Sequence, residues 1–170
     1  PISYYSHTRE TPQNLLILEN KDTFYSMRRH LMEGNDTILN CPIGTLIYGA
    51  GKGILRSFQD FDLCVEPYMR EKENKIYYFG DLDYEGIGIY EKLRQLFWGA
   101  WEIFPLLPAY EAMLDKASGV DRLPETKEQQ NRNIQGTFFN CFTQEQVCRM
   151  KEVLEEDRYI PQEILNITDF

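Results

Sequence analysis

The sequence predicts a three-layer α/β sandwich built on a mostly parallel, four-stranded central sheet. Three observations predict it. Short apolar runs alternate with stretches of helical spacing in the order β-α-β-α-β-α-β-α. The first strong run, Asn14-Leu15-Leu16-Ile17-Leu18, is unbroken, as expected of a central strand covered on both faces. Acids also stand where strands end: Glu19 after the first run, Asp81 and Asp83 after the third.

Taken in order, residues 1–13 are polar and break at Pro12, so they read as an opening segment or linker, with the domain proper over 14–170. The start at Pro1, without Met, reads as a piece of a longer protein. After the first strand, Asp22 or Thr23 is the expected cap of a helix carrying Phe24, Met27, Leu31 and Met32. Gly34-Asn35-Asp36 is a turn, and Thr45-Leu46-Ile47-Tyr48 a second strand. The loop Gly49-Ala50-Gly51-Lys52-Gly53 follows. It fails as a P-loop, with Leu46 and Gly53 at required positions, and fails as a dinucleotide fingerprint at Ile54. It reads as a tight strand-to-helix turn. A long helix is expected over 53–73, broken at Pro67.

Lys75-Ile76-Tyr77-Tyr78-Phe79 is β-branched and aromatic, the third strand, and Ile89 to Phe97 returns to helical spacing. Trp101 to Leu107 is a fourth strand that Pro105 places at an edge or strand end. A short helix follows from Tyr110 to Lys116, then an exposed polar loop over 118–136. Thr143-Gln144-Glu145-Gln146 is a capping box opening a helix to about Glu156.

Composition bounds the function. At 42% hydrophobic and 14% aromatic residues, the 170-residue chain has a real core and is not disordered. No apolar run approaches a membrane span and the N-terminus lacks a signal-peptide layout, so a cytoplasmic protein without membrane contact is expected. Cys41, Cys64, Cys141 and Cys148 form no CxxC pair and no zinc spacing with His7 and His30. They read as reduced thiols, mostly in the core. The net charge of −9 argues against a basic face that grips nucleic acid unaided. It leaves room for a site that meets phosphate through metal ions.

The acids carry the chemistry. Positions i and i+2 on extended chain point to one side, so Asp81 and Asp83 converge. At about 4 Å two such charges repel by roughly 4 kcal/mol at an effective dielectric near 20. A hard cation relieves that repulsion and takes oxygen ligands. Alone, an Asp-x-Asp reads more readily as a helix cap at Asp81 and a loop acid at Asp83 than as a metal site. With Glu19 one inter-strand step of about 4.8 Å away, three carboxylates suit one or two Mg²⁺ ions. Glu85 reads either as a further acid at the metal edge or as a first-turn acid satisfying the helix dipole. Lys21 reads as a phosphate partner or a solvated side chain, Lys52 as solvated. The aromatic cluster Tyr77, Tyr78, Phe79, Phe97, Trp98 and Trp101 reads as core.

A Glu ending the first strand, a Gly-rich turn after the second and an Asp-x-Asp ending the third resemble the Toprim pattern of topoisomerases, DnaG-type primases, OLD nucleases and RecR. Glu19-Asn20-Lys21-Asp22-Thr23-Phe24, Gly80-Asp81-Leu82-Asp83-Tyr84-Glu85-Gly86 and Ile160-Pro161-Gln162-Glu163 further resemble the C-terminal region of the DUF2220 family. That family includes a subunit of the bacterial Wadjet plasmid-defence system. It is similar to the Toprim part of type IIB topoisomerase A subunits and of Spo11. The resemblance implies a Mg²⁺-dependent DNA endonuclease, with Mn²⁺ as a substitute. By motif position it assigns Glu19, Asp81 and Asp83 as catalytic metal ligands, with Glu19 as a candidate general acid/base. It also implies double-stranded DNA held through a longer protein, a homodimer, and SMC-like defence-complex subunits as partners. The alternative is an inactive Toprim scaffold that binds partner subunits or DNA. A haloacid-dehalogenase phosphatase is disfavoured, because its Asp-x-Asp follows the first strand and is followed by Thr or Val where this chain has Glu85.

Overall fold

Leu15, Leu16, Ile17 and Leu18 point alternately to the two faces of their strand, and all four are fully buried. Both faces are therefore covered, and the sandwich follows from that one run. The computed structural model describes residues 2–170. The chain opens with β1 (Ser3–Ser6), β2 (Asn14–Leu18) and α1 (Lys21–Met32). A two-residue hairpin, β3 (Thr37–Ile38) with β4 (Cys41–Pro42), leads to β5 (Thr45–Tyr48), α2 (Gly53–Ser57) and α3 (Phe61–Cys64). Then come β6 (Lys75–Phe79), α4 (Tyr84–Leu96), β7 (Ile103–Pro105), α5 (Leu107–Ala117) and α6 (Gln144–Glu155).

The main sheet has the order β1-β5-β2-β6-β7. Its four inner and following strands, β5, β2, β6 and β7, run parallel and are the four that the sequence predicts. The fifth, β1, is antiparallel to β5, so the sheet is mixed. It comes from the segment read as an opening piece or linker. Four residues at a sheet edge carry too little apolar alternation to announce a strand. They are held by register with Thr45–Tyr48 and by a bond between the Ser6 and Thr45 hydroxyls (3.0 Å).

The long helix expected over 53–73 ends early. It divides into α2, a 3-10 turn and α3, and stops at Cys64. Val65 is already extended (φ −109°, ψ 159°), two residues before Pro67. Buried Asn74 fastens the turns that follow: its Oδ1 accepts from Gln13 N–H (2.8 Å), and its amide donates to the Tyr68 and Met69 carbonyls. The α1 cap is Asn20, not Asp22 or Thr23; its side chain accepts from both of their N–H groups. The capping box at Thr143 and Gln146 is present as predicted.

Tyr78, Phe79 and Trp101 lie in the core. Trp98 does not: it is 64% exposed, with the Arg94 guanidinium 4.7 Å from its ring centroid. The cysteines are free, but none is in the core; Cys64 and Cys148 are exposed. Among the described residues no helix is long and apolar enough to cross a membrane.

Candidate functional site at the sheet edge

β2 and β6 are neighbours with Leu18 opposite Phe79, so the residues that follow them leave the sheet at one place. Open α/β sheets bind ligands at this carboxyl edge. Glu19 N–H donates to the Phe79 carbonyl (3.4 Å), and Asp81 N–H donates to Glu19 Oε2 (2.9 Å). Glu19 and Asp81 are thus brought together, as the strand order predicts.

Asp83 has a further task. It is the N-cap of α4, where its Oδ1 accepts from Gly86 N–H (2.6 Å). Its Oδ2 accepts from Gln130 Nε2 (3.0 Å), and the residue is only 1% exposed. The helix starts at Tyr84, earlier than the spacing from Ile89 suggests, and encloses Gly86 and Gly88. Glu85 sits in its first turn, with Oε1 3.7 Å from Lys52 Nζ. That partly exposed pair adds little stability. It nevertheless gives Lys52, read as solvated, a partner.

The backbone is tight here. A Cβ at Gly80 would fall 2.5 Å from both Glu19 Oε2 and the Tyr78 hydroxyl, so both oxygens border the Gly80 Cα. Asp81 Oδ1 accepts from Gln162 N–H (2.6 Å). Gln162 is fully buried, takes Asn20 N–H on its Oε1 (2.8 Å) and gives its Nε2 to the Phe79 carbonyl. One amide therefore ties the ends of both acid-bearing strands. An antiparallel bridge between Leu82 and Ile160 runs alongside.

The electrostatics are those of acids without a salt-bridge partner. Among the described residues no Lys, Arg or His nitrogen lies within 4.0 Å of Glu19, Asp81 or Asp83. Burial, then Asp81 and the further acids, pushes Glu19 up to about 8 against the lowering effect of the Asp81 N–H. Burial also pushes Asp81 up to about 6; the Gln162 N–H opposes this, Asp83 and Glu163 add to it, and Lys127 opposes it. Burial alone would lower the Lys127 ammonium, yet Tyr159, Asp81, Asp83 and Glu19 together hold it above its ordinary range.

The donors suit a hard cation. All are carboxylate oxygens. Glu19 Oε1 and Asp81 Oδ2 accept no hydrogen bond among the described residues. Two buried polar atoms nearby also lack a partner: the Tyr78 hydroxyl beside Glu19, and Oε1 of the Gln130 that holds Asp83. A hydrated ion would supply what such atoms need. The cage itself is not closed: among the described residues no three His, Cys, Asp or Glu side chains are disposed to hold a metal. A cleft of about 410 Å³ runs along α4, with Lys52, Glu85, Lys127 and Gln130 in its walls; Gln130, which holds Asp83, joins it to the acid edge.

Three contributors lay outside the sequence reading: Gln162, Gln130 and Lys127. Neutral amides and a lone loop lysine carry no periodicity. The one signal was Ile160-Pro161-Gln162-Glu163, which marked a segment without giving it a role.

The fold and this edge define a class: an α/β protein with a mixed sheet and carboxylates gathered where two central parallel strands end. The chain matches the family described as "Wadjet protein JetD, C-terminal" over residues 2–168. It belongs to that family. Among curated proteins, none matches it.

Proposed function

We propose that this domain is the DNA-cleaving part of a Wadjet anti-plasmid defence protein, a cytoplasmic nuclease that works with Mg²⁺ or Mn²⁺. The observation that carries the reading is that Glu19 and Asp81 meet at the shared end of β2 and β6, with no salt-bridge partner within 4.0 Å of either carboxylate among the described residues. Glu19, Asp81 and Asp83 would hold the ion, with Glu85 at the margin. The ion would offset the carboxylate repulsion and polarise a phosphodiester.

The chain's own residues supply the rest. In the metal-free chain burial pushes the Glu19 carboxyl up to about 8, within reach of proton exchange at neutral pH. Gln162 holds Asp81 Oδ1, and Gln130 with the α4 N-terminus holds Asp83, so the acids keep their positions as charge builds. With a net charge of −9, the domain leaves most of the DNA grip to partner subunits, a second copy of the chain, or further parts of the protein.

The test is cleavage of supercoiled plasmid by the protein with its defence-complex partners, in Mg²⁺ and in EDTA. Glu19→Ala and Asp81→Ala are expected to assemble normally and to lose at least about a hundredfold in rate, about 2.7 kcal/mol of transition-state stabilisation. Glu85→Ala should lose much less. If Glu19→Ala and Asp81→Ala cut as well as the unaltered protein, the domain is a scaffold. The occupied oxygens of Asp83 are the feature that favours that second reading.

A further inference from the structure

We infer that Lys127, in the wall of the cleft along α4, seats a phosphate of the substrate strand beside the acids. This rests on the nuclease reading above and adds to it a residue from a loop that has no strand or helix of its own.

The loop is anchored. Thr126 N–H donates to the Asp157 carbonyl (2.8 Å) and Tyr159 N–H to the Pro124 carbonyl (3.1 Å), around an antiparallel bridge between Glu125 and Arg158. The next bridge along the same segment joins Ile160 to Leu82, between the two aspartates. Lys127 therefore stands two backbone pairings away from Asp81 and Asp83. Its ammonium lies 5.5 Å from the Tyr159 ring centroid, a cation–π contact that restrains a side chain otherwise exposed. On its other side, Gln130 reaches Asp83. Backbone pairings and side-chain contacts thus fix this lysine relative to the acids.

The neighbouring cations are less suited. Lys52 pairs with Glu85, and Arg132 pairs with Asp157 (2.8 Å). Lys92 also lines the cleft, but it is nine residues along α4 from Asp83, about 13 Å at 1.5 Å per residue. Lys127 has no ion-pair partner among the described residues. A phosphodiester approaching three carboxylates is repelled, and a positioned ammonium on the approach side offsets that repulsion. A compact ammonium with three donors suits a phosphate oxygen.

The experiment uses the protein with its partners and a short DNA duplex in Ca²⁺ buffer, which separates binding from cutting. Lys127→Gln is expected to weaken binding several-fold and to lower the salt slope by about one. It should also cut plasmid at least tenfold more slowly. Lys127→Arg should keep most of both. Lys92→Gln should change binding less. The melting temperature and its rise with Mg²⁺ should match the unaltered protein in Lys127→Gln, which a structural role would not allow. Unchanged duplex affinity and salt slope in Lys127→Gln overturn the inference. If Glu19→Ala is inactive and Lys127→Gln cuts normally, only this inference falls. If Glu19→Ala cuts normally while Lys127→Gln still binds weakly, the phosphate seat stands and the nuclease reading falls.

Discussion

At Gly86 a single hydrogen atom keeps the acid edge in register. A methyl group there would strike the Asp81 carbonyl and press within 3.1 Å of Asp83 Oδ1. Gly86→Ala is therefore expected to destabilise the domain by about 2 kcal/mol, read from urea unfolding, despite alanine's better helix propensity. Asp83 is the second decisive residue. Repulsion among Glu19, Asp81 and Asp83 alone would make Asp83→Ala slightly stabilising in metal-free protein. The structure reverses that expectation, because Asp83 caps α4 and accepts from Gln130. Asp83→Ala should cost about 1 kcal/mol. The Asp-x-Asp was legible in the sequence as a pair. The cap was not: the reading of Asp81 as cap and Asp83 as loop acid is reversed, because α4 starts at Tyr84 and Asp83 accepts from Gly86 N–H.

The segment 160–162 is only a bridge residue, a proline and the first residue of a 3-10 turn, yet it closes the site. Replacing Gln162 by Ala keeps its N–H on Asp81 but strips partners from the Phe79 carbonyl and Asn20 N–H. The Phe79 carbonyl keeps its longer bond from Glu19 N–H, so one partly buried N–H, that of Asn20, is left unpaired, at a cost of about 1–3 kcal/mol measured by chemical denaturation. Elements with strong local chemistry were legible: the unbroken run of β2, the aromatic run of β6, and the capping box of α6. The helix over 53–73 was not, because apolar spacing continues past Cys64 while the backbone has already turned. The strand β1 was hidden for the opposite reason. Its pairing with β5 is a tertiary fact, and Ser-Tyr-Tyr-Ser shows no alternation from which to infer it.

For the molecule as a whole, the charge distribution sets two expectations. In the folded chain Glu19 keeps its proton to about pH 8, whereas its ordinary value is 4.5. Between those limits the native state binds the extra proton, so stability falls as pH rises. Metal-free protein should thus lose stability from about pH 5 to pH 8, with Asp81 adding a loss up to about pH 6. Glu19→Gln should flatten the curve, as thermal unfolding across that range would show. A steepening curve in Glu19→Gln would contradict the burial argument. The net charge of −9 predicts, further, that residues 1–170 alone bind duplex DNA weakly at physiological salt. Tight, salt-sensitive binding in a titration would show that the domain carries its own grip.

The tie between Asp81 and Gln162 spans 81 positions, and that between Asn20 and Gln162 spans 142. Contacts of such separation pay their loop-closure entropy late, after the local pairings around them exist. A nascent chain can join β2 to β6 once residue 79 is made, but the acids are fastened only when residue 162 arrives. Half-made copies would hold Glu19 and Asp81 on loosely set turns. On the proposed nuclease function, and in a cell whose own chromosome is also DNA, synthesis order itself would then act as a safeguard, withholding an organised acid edge until residue 162 has been made.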